Sequence, residues 1–206
     1  MEVLSMEKVR SRVEVVFDEE KVSISAAMLR EWPLEIGQEV DREAYEQFLL
    51  RHQYKPCLEY AVTLLTARAY AEKELAEKLL RAGYHRKTAE IVLYKLQKSH
   101  ILDDADYAKT YARNRSENRV GSFRIAQELR RKGVDPDTIQ DALSEMDEDA
   151  QLEQATELAV RQLKQIRTDE DPRKTVQKLV SKLVRRGYSF ELARKAVRQA
   201  LSKRDL

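Results

Sequence analysis

Three stretches of this chain repeat one another around a glycine, and that repetition limits what the chain can fold into. The first runs Glu74-Leu75-Ala76-Glu77-Lys78-Leu79-Leu80-Arg81-Ala82-Gly83-Tyr84. The second runs Arg124-Ile125-Ala126-Gln127-Glu128-Leu129-Arg130-Arg131-Lys132-Gly133-Val134, and the third Lys178-Leu179-Val180-Ser181-Lys182-Leu183-Val184-Arg185-Arg186-Gly187-Tyr188. The glycines are 50 and 54 residues apart, a period that fits a tandem array of helical units. Leu79, Leu129 and Leu183 precede their glycines by four residues, and Leu75, Ile125 and Leu179 by eight. Those offsets place each pair on one helical face, where it can join a core. The glycine then suits a left-handed residue that ends the helix, and the basic residues before it oppose the negative helix end.

A second helix is expected after each glycine. Asp135 and Ser189 are candidate N-caps, and Pro136 falls at the first helical position. Its apolar face would be Ala89, Val92, Leu93 and Leu96 in the first unit and Ile139, Ala142, Leu143 and Met146 in the second. In the third unit it would be Ala193, Ala196, Val197 and Ala200. A further helix precedes each pair, at about 57–69, 104–118 and 150–166, the middle one capped by Asp103 or Asp104. Only 5 Gly and 4 Pro with a 36% charged fraction support helices with long solvated faces.

The first ~55 residues read differently. Arg12–Phe17 and Lys21–Ser25 are rich in β-branched residues around Asp18-Glu19-Glu20, which predicts a hairpin. Ala26–Trp32 predicts a short helix before Pro33, and Asp41 caps a helix over about 42–53. The expected architecture is mainly α: three tandem three-helix, helix-turn-helix-like repeats in an elongated curved array, with a small N-terminal β-hairpin plus helix module. The expected divisions are 1–56 for that module, then 57–101, 102–149 and 150–206 for the repeats.

Several classes of chemistry find no support. The single cysteine, Cys57, precludes an intramolecular disulfide, suits a reducing cytoplasm and reads as a core residue. No apolar run is long enough to span a bilayer, and the opening residues, with Lys8, Arg10, Arg12 and Glu14, do not read as a secretory signal. His52, His85 and His100 are far apart, and no Cys/His cluster or phosphate-binding glycine loop occurs. The acidic runs Asp147-Glu148-Asp149 and Asp169-Glu170-Asp171 lack calcium-loop spacing and read as caps. No enzyme, metal or cofactor is expected.

The middle repeat resembles the RecX family. It reads Leu102-Asp103-Asp104-Ala105-Asp106-Tyr107-Ala108, then Arg115, then Gly121-Ser122-Phe123-Arg124-Ile125 and on through Glu128-Leu129 to Lys132-Gly133. Glu74-Leu75, Lys78-Leu79 and Gly83 of the first repeat match as well, and the resemblance covers about residues 57–201. Two positions depart from the pattern. Ala71 stands where a capping Ser is common, and His100 where Gly often precedes the Leu-Asp-Asp element; His tolerates a left-handed backbone better than most residues. The resemblance implies a non-catalytic protein that lies in the groove of the RecA–single-stranded DNA filament; a cytoplasmic monomer is expected. It further implies restraint of RecA's ATPase, recombinase and co-protease activities, with single-stranded or duplex DNA as a subsidiary partner.

The net charge of +2 hides a gradient. Residues 151–206 carry 14 basic and 7 acidic side chains, whereas residues 1–56 carry 8 and 12. Two clusters are candidate contact surfaces. One holds Arg113, Arg115, Arg119, Arg124, Arg130, Arg131 and Lys132; the other holds Arg173, Lys174, Lys178, Lys182, Arg185 and Arg186. Either could meet an acidic filament wall or track phosphates, and the bland reading is a solvated face with charge at helix C-termini. Tyr107 and Tyr111, four apart, read as packing rather than as a base-stacking pair. The competing functions are a sequence-nonspecific or helix-turn-helix-type DNA-binding protein and a helical scaffold for another partner. Against base readout, residues 135–149 are strongly acidic.

Overall fold

A computed structural model describes residues 1–18, 20–165 and 171–203. The chain forms two compact units, Met1–Asp103 and Asp104–Leu206.

In the first unit, strands β1 (Val3–Val9), β2 (Arg12–Phe17) and β3 (Glu20–Ser25) make an antiparallel sheet in the order β1-β2-β3. The expected hairpin is β2–β3, with Val15 opposite Val22; its Glu19 lies outside the described residues. β1 is an addition to that expectation. Its sequence, Val-Leu-Ser-Met-Glu-Lys-Val, has little alternation and most of its residues stay exposed, so pairing with β2 rather than burial defines it. The short helix α1 (Ala26–Glu31) follows, capped by the Ser25 hydroxyl. Val15, Val22, Ile24, Tyr45, Phe48 and Leu49 then join sheet and helices in one core.

Helix α2 (Arg42–Ala67) corrects the two separate helices expected at about 42–53 and 57–69. It runs through Pro56, which withholds one helical hydrogen bond at a typical interior cost of ~3 kcal/mol. Tertiary contacts hold it on both sides of that position. Before the proline, buried Gln53 donates to the Ser23 carbonyl of β3 (3.2 Å) and accepts from the His85 amide (2.8 Å). At the proline its carbonyl accepts from the Tyr84 hydroxyl (3.1 Å), and Cys57 and Ala61 beyond it are fully buried. Burial pushes the Cys57 thiol up to about 12, so it is a core group rather than a nucleophile.

Helices α3 (Glu72–Arg81) and α4 (Arg86–Lys98) complete the first repeat. Leu75, Leu79, Val92 and Leu96 fill its interior. As the sequence implies, Ala71 gives α3 no side-chain cap, and His100 takes the left-handed conformation (φ 53°).

In the second unit, α5 (Asp104–Glu117), α6 (Ser122–Lys132) and α7 (Pro136–Ser144) form one repeat. Helices α8 (Glu148–Leu163), α9 (Pro172–Arg185) and α10 (Phe190–Ser202) form the next. Asp135 and Ser189 cap α7 and α10 as expected. Asp147 and Asp171 cap α8 and α9, so α8 begins two residues before its expected start. Asp169 and Glu170 of the second acidic run, and Ile166 of the expected helix 150–166, lie outside the described residues. Gly83, Gly133 and Gly187 all take positive φ (87°, 88° and 99°), and the core leucines before them are buried. Among the described residues, no helix is long and apolar enough to cross a membrane.

Candidate partner-binding site

The site is built where one repeat of the second unit meets the next. Gly121, at the N-cap position of α6, offers no side chain to satisfy the free N–H groups of the helix start. The end of α9 satisfies them instead: the Gly121 amide donates to the Arg186 carbonyl (3.1 Å) and the Phe123 amide to the Gly187 carbonyl (3.0 Å). The negative end of α9 thus faces the positive end of α6. This approach requires glycine on both sides. A Cβ at Gly121 would fall on the Gly187 backbone, and one at Gly187 on the Arg124 Cβ. The Arg186 guanidinium locks the joint by donating to the carbonyls of Arg119 (2.9 Å) and Asn118 (3.1 Å).

Beside this joint runs an open groove of about 500 Å³, with Arg124, Arg130 and Arg131 on one wall and Val184 and Arg185 on the other. Arg130, Arg131 and Arg185 are exposed, and none has an ion-pair partner among the described residues. Phe123 opens onto the same groove with 68% of its surface in solvent.

The one carboxylate in the groove is already engaged. Glu128 accepts from Arg115 Nε (2.7 Å) and Nη2 (2.8 Å), the Tyr111 hydroxyl (3.0 Å) and Arg124 Nε (3.1 Å). Burial alone would raise its pKa, but these donors outweigh burial and hold the carboxyl at about 2. Burial first, and then its hydrogen bond to the Glu128 carboxylate, push the Tyr111 phenol up.

The structure therefore divides the cations that the sequence grouped by proximity along the chain. Arg124, Arg130, Arg131 and Arg185, drawn from both clusters, meet in one groove. Arg115, Arg119 and Arg186 hold the fold together: Arg119 pairs with Glu157 (2.7 Å) across the two repeats. Lys132 lies over the rings of Tyr107 (5.8 Å) and Tyr111 (5.4 Å), which stack on each other as a packing pair. Lys182 donates to Gln162 (2.6 Å). Arg113 is exposed in a separate cleft near Lys109 and Glu145. Lys174 and Lys178 are exposed along α9 and do not line the groove.

Phe123 and Val184 were not singled out in the sequence. A signal for Phe123 was there, because two residues of helix separate it from Ile125 by about 200°, placing an aromatic ring opposite the core stripe. On α7, the helix after the second turn glycine, the charged residues are Asp137 and Asp141, and it has no Arg or Lys to read bases. Among the described residues, no three His, Cys, Asp or Glu side chains are grouped so as to hold a metal ion.

Profiles described as the first, second and third three-helix domains of RecX match residues 57–96, 103–143 and 148–197. The regulatory protein RecX of Clostridium botulinum is 28% identical over 195 residues, covering 94% of this chain and 92% of that protein. The regulatory protein RecX of Mycobacterium ulcerans is 38% identical over 131 residues, covering 63% of this chain and 76% of its own. A crystal structure of regulatory protein RecX superposes with a TM-score of 0.63 at 23% identity, covering 93% of this chain and 96% of that one, a likeness of fold.

Proposed function

Because the chain belongs to the RecX family of non-enzymatic regulatory proteins, we propose that it binds the RecA–single-stranded DNA filament in its groove and restrains ATP hydrolysis, recombination and co-protease action. The observation that carries this reading is the convergence of Arg124, Arg130, Arg131 and Arg185 on one groove beside an exposed aromatic ring. Among the described residues, three of these guanidinium groups have no carboxylate partner, so their charge is available to an acidic surface. Exposed aromatic and arginine side chains are also the residue types that dominate binding energy at protein interfaces. Helical units that each make a modest contact would bridge neighbouring RecA protomers, and their combined affinity would exceed that of any one. We expect the protein to act in the cytoplasm as a monomer, and its buried free thiol suits a reducing compartment.

The test is RecA ATP hydrolysis on single-stranded DNA, titrated with this protein below one per RecA, with binding to bare DNA as control. Inhibition at such ratios with weak DNA binding is expected. The double variant Arg130→Glu, Arg131→Glu should inhibit about tenfold less well at unchanged helicity. Full inhibition by that variant removes the groove from the contact, and tight DNA binding without inhibition replaces the reading with a DNA-binding one.

A further inference from the structure

Helix α6 presents a cleft on each flank. Phe123, Gln127 and Arg130 fall at spacings of four and three and form its exposed ridge. One flank is the arginine groove. The other is a cleft of about 630 Å³ closed by α7 and the start of α8, and both Phe123 and Arg130 belong to its lining too.

The two clefts differ in chemistry. In the second, Ala126, Leu143 and Met146 supply an apolar wall, with Leu143 and Met146 only half-buried. Its charged lining is Asp137, Glu148 and the shared Arg130. A phosphodiester chain laid across the ridge would find cations on one side and a net negative wall on the other. A protein segment meets no such conflict. Its carboxylates can face Arg124, Arg131 and Arg185 while an aliphatic or aromatic side chain covers Phe123, Leu143 and Met146. The unbranched thioether of Met146 adapts to either shape. An aromatic ring left in water beside half-buried Leu and Met gains by being covered.

We propose that the α6 ridge with its two flanking clefts takes an acidic protein segment carrying an apolar anchor side chain. The segment is a part of the RecA partner, so the inference rests on the reading above and narrows it to one kind of contact.

The experiment uses the full chain with Phe123→p-benzoyl-phenylalanine, RecA and an oligo-dT strand. ATPase inhibition by the unsubstituted chain is measured first, and its absence defeats the RecA reading itself. Irradiation of the bound complex followed by mass spectrometry then identifies what touches the ridge. A crosslink to a net negative RecA peptide with an aliphatic or aromatic residue at or beside the attachment point is expected. A crosslink to DNA, or to a neutral or basic RecA peptide, overturns the inference while leaving RecA as the partner. As a second arm, Met146→Glu should bind the filament about tenfold more weakly with an unchanged circular dichroism spectrum and unchanged affinity for free oligo-dT. Unchanged filament affinity in Met146→Glu, or equal losses for filament and free DNA, also overturns it.

Discussion

Glu128 shows how one carboxylate decides which of its neighbours' charges reach a partner. It occupies Arg115 and shares Arg124, so that among the described residues Arg130 and Arg131 are the arginines of α6 with no carboxylate partner. Its folded-state pKa of about 2 lies below the ordinary 4.5. Its stabilisation is therefore complete above 4.5 and is lost as pH falls through about 2. Glu128→Gln is expected to cost about 1–3 kcal/mol at pH 7, the side chain being mostly shielded. The gap to the unsubstituted chain should narrow steadily below pH 4.5, which urea unfolding at several pH values would read. This site was half legible in the sequence. The basic residues could be counted, but Arg115 meets Glu128 thirteen residues away and Arg119 meets Glu157 at thirty-eight. Charge tallies along the chain do not see partners at such distances.

Helices whose signals are local were legible as elements. Leucines four and eight residues before a glycine, an acidic or hydroxyl cap after it and a proline at the first turn all act within about two turns of helix. α2 was not, because Pro56 is a local stop signal overruled by contacts from strands and helices far along the chain. Gln53 is the clearest of those contacts. Its amide bonds both β3 and the start of α4 from a buried position. Gln53→Leu should leave the Ser23 carbonyl and the His85 N–H without these partners, costing about 2–4 kcal/mol. Hydrogen exchange would show the loss as faster exchange at the His85 amide, whereas an unchanged rate there would mean that α2 holds without this link.

On the scale of the whole molecule, the turn glycines have a use beyond ending helices. The Gly187 turn docks on α6 within the second unit, and within the first the Gly83 carbonyl accepts from the Ser23 amide (2.8 Å). In both, the approach leaves no room for a Cβ. Gly187→Ala combines a positive φ with a methyl group directed onto Arg124, and should cost about 3 kcal/mol or more. It should also lose RecA inhibition, because Arg185 would no longer share a groove with Arg130 and Arg131. Arg130→Glu, Arg131→Glu differs: that pair should inhibit about tenfold less well while keeping its unfolding midpoint. Chemical denaturation alongside the ATPase assay separates the two.

The Gly83 joint bears on how this chain behaves in a crowded solution. β3 is an edge strand, and an edge strand is a template on which other chains can add themselves. The turn between α3 and α4 occupies Ser23 of that edge with a backbone bond of its own. On the opposite edge, Glu7 and Lys8 of β1 place charges where another strand would have to pack. A defect at the joint would thus be felt first as self-association: the sheet, once uncovered, would seek a neighbouring molecule's strand in place of its own helical lid.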